Sequence, residues 1–531
     1  MLNPHYKKIA QLLDDLRSTN VQKSSEATLD LKTFSWQINS YSDLLREGLL
    51  SGLRSPLSHV RRNSALVLGS YNDREIIPAL LNAITDIDAD VRFSVIETLE
   101  GLKVSSAVVP IMTLLLTEIN SKVRWKAIET LGILGDQKAV EFLIATLHQG
   151  NMVPTIAKAL GRLGDQRAVP PLLEILESKP NNGQISIIDA LGYLGDMRAA
   201  HTLLRVLYEE DAPSCTAAIV ALGRLYEHAR QDDLYKFQNI INAILEMLHH
   251  EDSHVRSNAA NVLGRLQASQ AVEPLLILLR DDSADVCYSS QLALGRIGDR
   301  QALSPLLKNL ADSRVQVQLG ALKALELLAV SETTEPVARL ISSEHRSISR
   351  QALTTLCRIG GERAMEKIKN VLHDHSLSIT LRADAIMALG STKDEDALLM
   401  LFDELQSDEV LLRTHSAAAL GEIGSANSVR HLIRALDDTS PDVREASVTS
   451  LGQIGDRKVL KLLLDKLSDS EPSVRWAVAI ALGNIRDPRA IPVLEKVLSL
   501  DDGQFTLGGK PQYIRDAAHE AIKRITLGNT F

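Results

Sequence analysis

The sequence predicts an all-α protein, an α-solenoid (superhelix) of about fifteen stacked helix pairs. Three observations predict it. The pattern V-R-x-x-A-x-x-x-L-G-x-I-G-D recurs from end to end, as in VRWKAIETLGILGDQKA (123–139), VREASVTSLGQIGDRKV (443–459) and VRWAVAIALGNIRDPRA (474–490). Within each copy the apolar residues fall at three- and four-residue steps, the signature of one buried helical stripe. Of the 531 residues 45% are apolar but only 4% aromatic, a balance that suits close helix packing better than a β-sandwich.

The register is kept over most of the chain. The first Gly slot of the pattern holds Gly69, Glu100, Gly132, Gly161, Gly192, Gly223, Gly264, Gly295, Glu326, Cys357, Gly390, Gly421, Gly452, Gly483 and Lys523, and nine of the fourteen spacings are 31 residues. A fixed period of this length marks a repeat architecture. Each unit reads as two helices. In the third, Val123, Ala127, Leu131 and Leu134 form the stripe of a first helix, here called the VR helix, and Gly135–Asp136 ends it. A second stripe follows in AVEFLIATL (139–147). Turns such as DDTSPDVR (437–444) and SDSEPSVR (468–475) place Ser, Asp and Pro where the next helix starts. One pair cannot bury its own apolar face, so neighbours must stack. The Arg after Val (Arg124, Arg444, Arg475) and the turn Asp (Asp136, Asp456, Asp487) are expected to pair across adjacent units as a structural ladder.

Three domains follow. Residues 1–42 form an N-terminal helical cap, with a helix over 2–18 and a polar linker over 18–27; residues 43–527 form the solenoid; residues 528–531 are a C-terminal tail. Two segments exceed the period: 226–239, polar and helix-prone, and 500–513, Gly-rich and ending in Tyr513. In units four to six the VR position reads Met152–Val153, Gly183–Gln184 and Ser214–Cys215, so the ladder is expected to lapse there.

The wording VR..A...LG.IGD.RA..PL...L resembles the HEAT repeat, in the short form named after the phycobilisome lyases, over about residues 43–527. The resemblance implies a solenoid whose VR helices line a concave groove, and a scaffold or adaptor acting through protein–protein contact. It also implies an alternative, a bilin (phycobilin) lyase-type enzyme or accessory factor acting on phycobiliproteins. A third relative, the deoxyhypusine hydroxylases, holds di-iron on four His–Glu dyads; this chain has too few, His519–Glu520 being one.

No catalytic residues, metal site or cofactor are read from the sequence. The histidine clusters 249–254 and 373–376 sit in turns, and GGKP (508–511) lacks P-loop spacing. Cys215, Cys287 and Cys357 are scattered, with no CxxC, which fits a reducing compartment and a cytoplasmic protein. The longest apolar run noted, 108–116, is too short to insert in a membrane. A net charge of −9 argues against bulk nucleic-acid binding.

The expected partner is therefore a protein, with an acidic surface or peptide. Ten residues after the Val, outward-pointing positions give a basic run: Arg162, Arg224, Arg265, Arg296 and Arg358, with Tyr193 in the same slot. Two residues after the Val come aromatics expected to be exposed: Phe93, Trp125, Tyr288 and Trp476. Arginine and aromatic side chains dominate interface hot spots. The groove lacks dense lysine, which again disfavours nucleic acid.

Overall fold

The structure, a computed structural model, describes residues 4–33, 42–71, 74–178, 183–209, 211–228, 234–393, 395–501, 503–508 and 510–527. Residues 528–531, the expected tail, lie outside the described residues. The chain divides into two compact units, Met1–Ala271 and Val272–Phe531. Both are files of helix pairs, so the all-α solenoid expected from the period is what forms. Among the described residues the only sheet is a two-stranded antiparallel hairpin, Gln504–Leu507 with Lys510–Tyr513.

One repeat shows why these residues fold as they do. The VR helix Pro441–Ile454 begins with Pro in its first turn, where the missing N–H costs nothing, and buries Val443, Ser447, Val448, Leu451 and Gly452. It stops at Gly455, whose φ of 75° suits a residue without a Cβ. The Asp456 carboxylate then accepts the Lys458 N–H at 2.9 Å and opens a 3₁₀ turn, Arg457–Val459, that runs into the second helix, Leu460–Lys466.

The VR helices abut one another closely, and the Gly slot makes this possible. A Cβ on Gly452 would lie 2.6 Å from Ala481 Cα; on Gly132, 2.8 Å from Ala159 Cα; on Gly390, 2.8 Å from Ala419 Cα. The glycine of one unit thus faces the alanine two residues before the glycine of the next, backbone against backbone. Where Glu replaces Gly, a polar link replaces that approach. Glu100 accepts from Thr130 Oγ1 at 2.6 Å and Lys126 Nζ at 2.9 Å, and Glu326 from Gln351 Nε2 at 2.7 Å.

A second link runs along the loops. In the first unit Arg61 grips Asp86 (2.7 and 2.8 Å) and Arg92 grips Glu118 (2.6 and 2.9 Å). In the second, Arg413 grips Asp438 (2.8 and 2.9 Å), Arg444 grips Asp469 (2.9 and 2.8 Å) and Arg475 grips Asp501 (2.8 and 3.2 Å). Each remaining guanidinium nitrogen turns back to its own loop, as Arg444 Nη1 does to the Asp438 carbonyl at 3.0 Å. The expected ladder partners are therefore corrected. Asp136, Asp456 and Asp487 do not meet the VR arginines; each accepts the N–H two residues on, at Lys138, Lys458 and Arg489, and so caps the turn into its own second helix. Arg124 has no carboxylate partner among the described residues and donates to the Leu115 and Glu118 carbonyls instead. The position that would supply its acid holds Gln149 and Gly150.

Three local expectations also change. The polar stretch 18–27 is not a linker: Asn20 Oδ1 accepts the Gln22 N–H at 3.0 Å and starts a helix, Val21–Thr33, that buries Ala27 and Leu31. This helix joins the first VR-type helix, Ser58–Leu68, where Asn63 Nδ2 donates to Ser24 Oγ at 2.9 Å. The 226–239 surplus lengthens a VR helix to Ala212–His228 and leads to Leu234–Glu246, residues 229–233 lying outside the described residues. The 500–513 surplus forms the hairpin, tied down by Ile514 N–H to the Gly503 carbonyl at 3.2 Å.

Two outcomes follow from this packing. Gly452→Val should lower stability by about 3 kcal/mol because neither backbone can give way, whereas Gly101→Ala, with open space around its Cβ position, should be neutral or stabilising by up to ~1 kcal/mol; urea melts of both variants check the contrast. The second concerns acid. Burial pushes the Asp469 carboxyl up, but the Arg444 guanidinium and the Glu471 N–H outweigh it and hold it below the usual carboxylate range. Asp86, Glu118, Asp438 and Asp501 are held low in the same way. Because the native values are depressed, this stability is fully present above the ordinary carboxylate pKa of about 4 and is lost as pH falls through the native values. Thermal melts should accordingly be flat down to about pH 4 and drop below it. Arg444→Met should cost about 3 kcal/mol at neutral pH and weaken that acid dependence.

Candidate functional site

Because each VR helix buries its stripe between neighbours, the residues two, six and ten places after the Val emerge together on one face. In the first unit this brings together Trp125 and Ile133 on helix Ser121–Leu134, Arg162 on Val153–Leu163, Ile185 and Tyr193 on Gln184–Leu194, Arg224 on Ala212–His228 and Arg265 on Ser253–Arg265. Trp125 and Ile133 are each 43% exposed, Ile185 45% and Tyr193 59%. Single apolar side chains this open are ordinary; it is their gathering on one face that marks an interaction surface.

The arginines on this face are not free. Arg162 Nη1 stands 3.9 Å from Glu129, one helix back. The Arg224 guanidinium lies over the Tyr193 ring at 4.0 Å, donates to its hydroxyl at 3.3 Å and approaches Asp189 at 3.7 Å. Arg265 Nε reaches Glu227 at 3.1 Å. Burial pushes the Asp189 carboxyl above its usual range, against the pull of Arg224 and then Lys158. Burial works against the Lys126 ammonium, yet hydrogen bonds to Glu100 and Glu129 outweigh it and strengthen its hold on the proton. The arginine pairs are partly exposed and worth little to stability, whereas Lys126 is buried on Glu100. The sequence reading missed Ile133, Ile185 and the acids Glu129 and Asp189; the six-residue slot after the Val could have revealed those acids.

The remaining positions, Phe93 apart, lie on the second unit. Tyr288 is half-buried, its hydroxyl accepting from Lys323 Nζ at 2.9 Å, and Arg296 is half-buried beside it in sequence register. Arg358 is exposed at the end of helix Arg346–Ile359. Trp476 is half-buried rather than exposed: it meets Phe505 of the hairpin edge-on, with ring centroids 5.7 Å apart at 72°. Phe93 is also half-buried.

The titratable groups offer no nucleophile. Burial pushes the Cys215 and Cys287 thiols up and the Cys357 thiol up to about 12, so each stays protonated at neutral pH. In the first histidine cluster His250 Nδ1 accepts the Asp252 N–H at 3.0 Å, a turn contact. Among the described residues no three His, Cys, Asp or Glu side chains are placed to hold a metal ion, and no helix is long and apolar enough to cross a membrane.

A family model described as HEAT repeats matches residues 46–118, 88–153, 111–184, 154–223, 241–317, 367–448 and 429–507, well over half of the chain. Yeast importin-β (Kap95p) is similar in structure, with a TM-score of 0.56 at 12% identity over 97% of this chain and 80% of that one. Kap95p in a complex with Nup1 gives 0.56 at 13% over 97% and 80%. A structure of Kap95p binding RanGDP gives 0.54 at 13% over 100% and 90%. At such identities what is shared is the fold. A search of curated proteins finds no match.

Proposed function

This chain belongs to the HEAT-repeat family, and on that premise we propose that it is a non-catalytic protein-interaction scaffold or adaptor whose VR-helix face receives an acidic protein surface or peptide. One observation carries the reading. In the first unit Trp125, Ile133, Ile185 and Tyr193 stand exposed among Lys158, Arg162 and Arg224. Exposed aromatic and aliphatic anchors interleaved with cations are the composition of an interface core. A partner's carboxylates replace Glu129 and Asp189 as ligands of the arginines, while its apolar side chains cover the anchors. Arg296 and Arg358 offer the same chemistry on the second unit. Kap95p, of like fold, is seen with RanGDP and with Nup1, which fits a protein-binding role. The three free, buried cysteines fit a cytoplasmic setting.

The test is affinity capture from the native cell extract with recovery quantified by mass spectrometry. Trp125→Ala with Tyr193→Ala, and separately Arg162→Glu with Arg224→Glu, should each reduce partner recovery on the order of tenfold without moving the melting temperature. Glu129→Gln with Asp189→Asn should raise it. Recovery untouched by both double variants sinks the reading. The bilin-lyase alternative has its own signature: a linear tetrapyrrole added to the protein would acquire a bound, shifted visible band.

A further inference from the structure

The second unit carries a different charged surface, on the side of the second helices. Arg457, Lys458, Lys461 and Arg489 line a groove of about 520 Å³ whose floor is Leu460 and Leu464. The four cations are exposed. Arg489 pairs with Asp487 at 2.7 Å, and Arg457 acts on the same carboxylate through space. Lys458 and Lys461 form no ion pair among the described residues. At Lys458 the groove continues into a second cleft, of about 710 Å³, whose walls include Leu399, Phe402, Ile433 and Arg430. Leu399 is 75% exposed. Three acids stand at this cleft: Glu395 accepts from Ser425 Oγ at 2.7 Å, Asp456 caps its turn, and Asp396 is exposed. A chain of net charge −9 thus presents a cationic groove beside a mixed one that is apolar along Leu399, Phe402 and Ile433.

We propose that this paired groove docks an extended acidic peptide segment of a partner protein, its carboxylates on Lys458, Lys461 and Arg457 and its aliphatic side chains on Leu399 and Phe402. The geometry favours a peptide over other anions. Leu460 is only 5% exposed at the groove floor, so a flat lipid surface cannot reach it, whereas a narrow chain can. Stacking of nucleic-acid bases needs open aromatic faces, and Phe402 is already stacked on His431, with centroids 3.7 Å apart and planes within 4°. The surface is separate from the VR-helix face of the first unit, so neither proposal depends on the other.

The probe is a short fluorescein-labelled peptide of alternating Glu and Leu, followed by fluorescence anisotropy at low salt. The wild-type chain should bind it, and Lys458→Glu with Lys461→Glu should weaken binding on the order of tenfold. The milder Lys458→Ala with Lys461→Ala should give an intermediate loss, which guards against a folding defect of the reversed pair. All variants are measured in the Arg162→Glu, Arg224→Glu background, which removes binding of the same acidic peptide at the VR-helix face. An oligothymidylate and vesicles containing phosphatidylserine serve as rival ligands. In that background the proposal is overturned by no peptide binding up to about 1 mM, by equal binding with and without the lysine changes, or by tighter binding of either rival ligand through the same lysines.

Discussion

The contact on which the rest of the molecule depends is the meeting of a glycine with an alanine across successive VR helices. Gly132 meets Ala159, Gly161 meets Ala190 and Gly192 meets Ala221, with no room for a side chain between the backbones. Interiors are packed too tightly to absorb even one extra methyl group where the neighbour is main chain. The same closeness lets a hydroxyl in the alanine position reach the preceding helix: Thr98 donates to the Ala65 carbonyl at 3.0 Å and Ser450 to that of Ala417 at 2.8 Å. Glu100 and Glu326 show the alternative, in which a longer side chain is accommodated by giving it polar partners.

Fixing the helices this way also fixes the loops. At Asp86, Glu118, Asp438, Asp469 and Asp501 the acid of the loop accepts the arginine of the preceding repeat, and at Asp86, Glu118, Asp438 and Asp469 a loop carbonyl accepts the arginine that follows. With side chains only 13% and 6% exposed in the Arg444–Asp469 pair, these groups are committed to structure. The net charge of the whole sequence therefore says little about what any face offers. The arginines of the VR-helix face sit in pairs with neighbouring acids, whereas Lys458 and Lys461 form no ion pair among the described residues.

Exposed side chains gain meaning from the same geometry. A file of helices in one register repeats its slots as rows, so Trp125, Ile185, Ile133 and Tyr193 collect on one face although they are spread along the sequence. A row of this kind binds through many modest contacts. No deep cavity or reactive group is required, in keeping with the buried, protonated thiols.

The period, the two-helix unit, the glycine slot and the left-handed glycines that end helices such as Ser121–Leu134 and Pro441–Ile454 were legible in the sequence, because they are written in recurring local patterns. So was the rule that every tenth residue after the Val faces outward, which placed Arg162, Tyr193 and Arg224 on one surface. Pairing was not legible. Asp456 and Asp469 each accept the N–H two residues on, and stacking carries Asp469, not Asp456, to Arg444. Nor could local pattern foresee that Phe505 would cover Trp476, or that Phe402 would stack on His431. The sequence by itself determined the repeating unit and its close approach. Only the tertiary structure decided which charges meet and which side chains stay open, because those contacts join residues a full repeat apart.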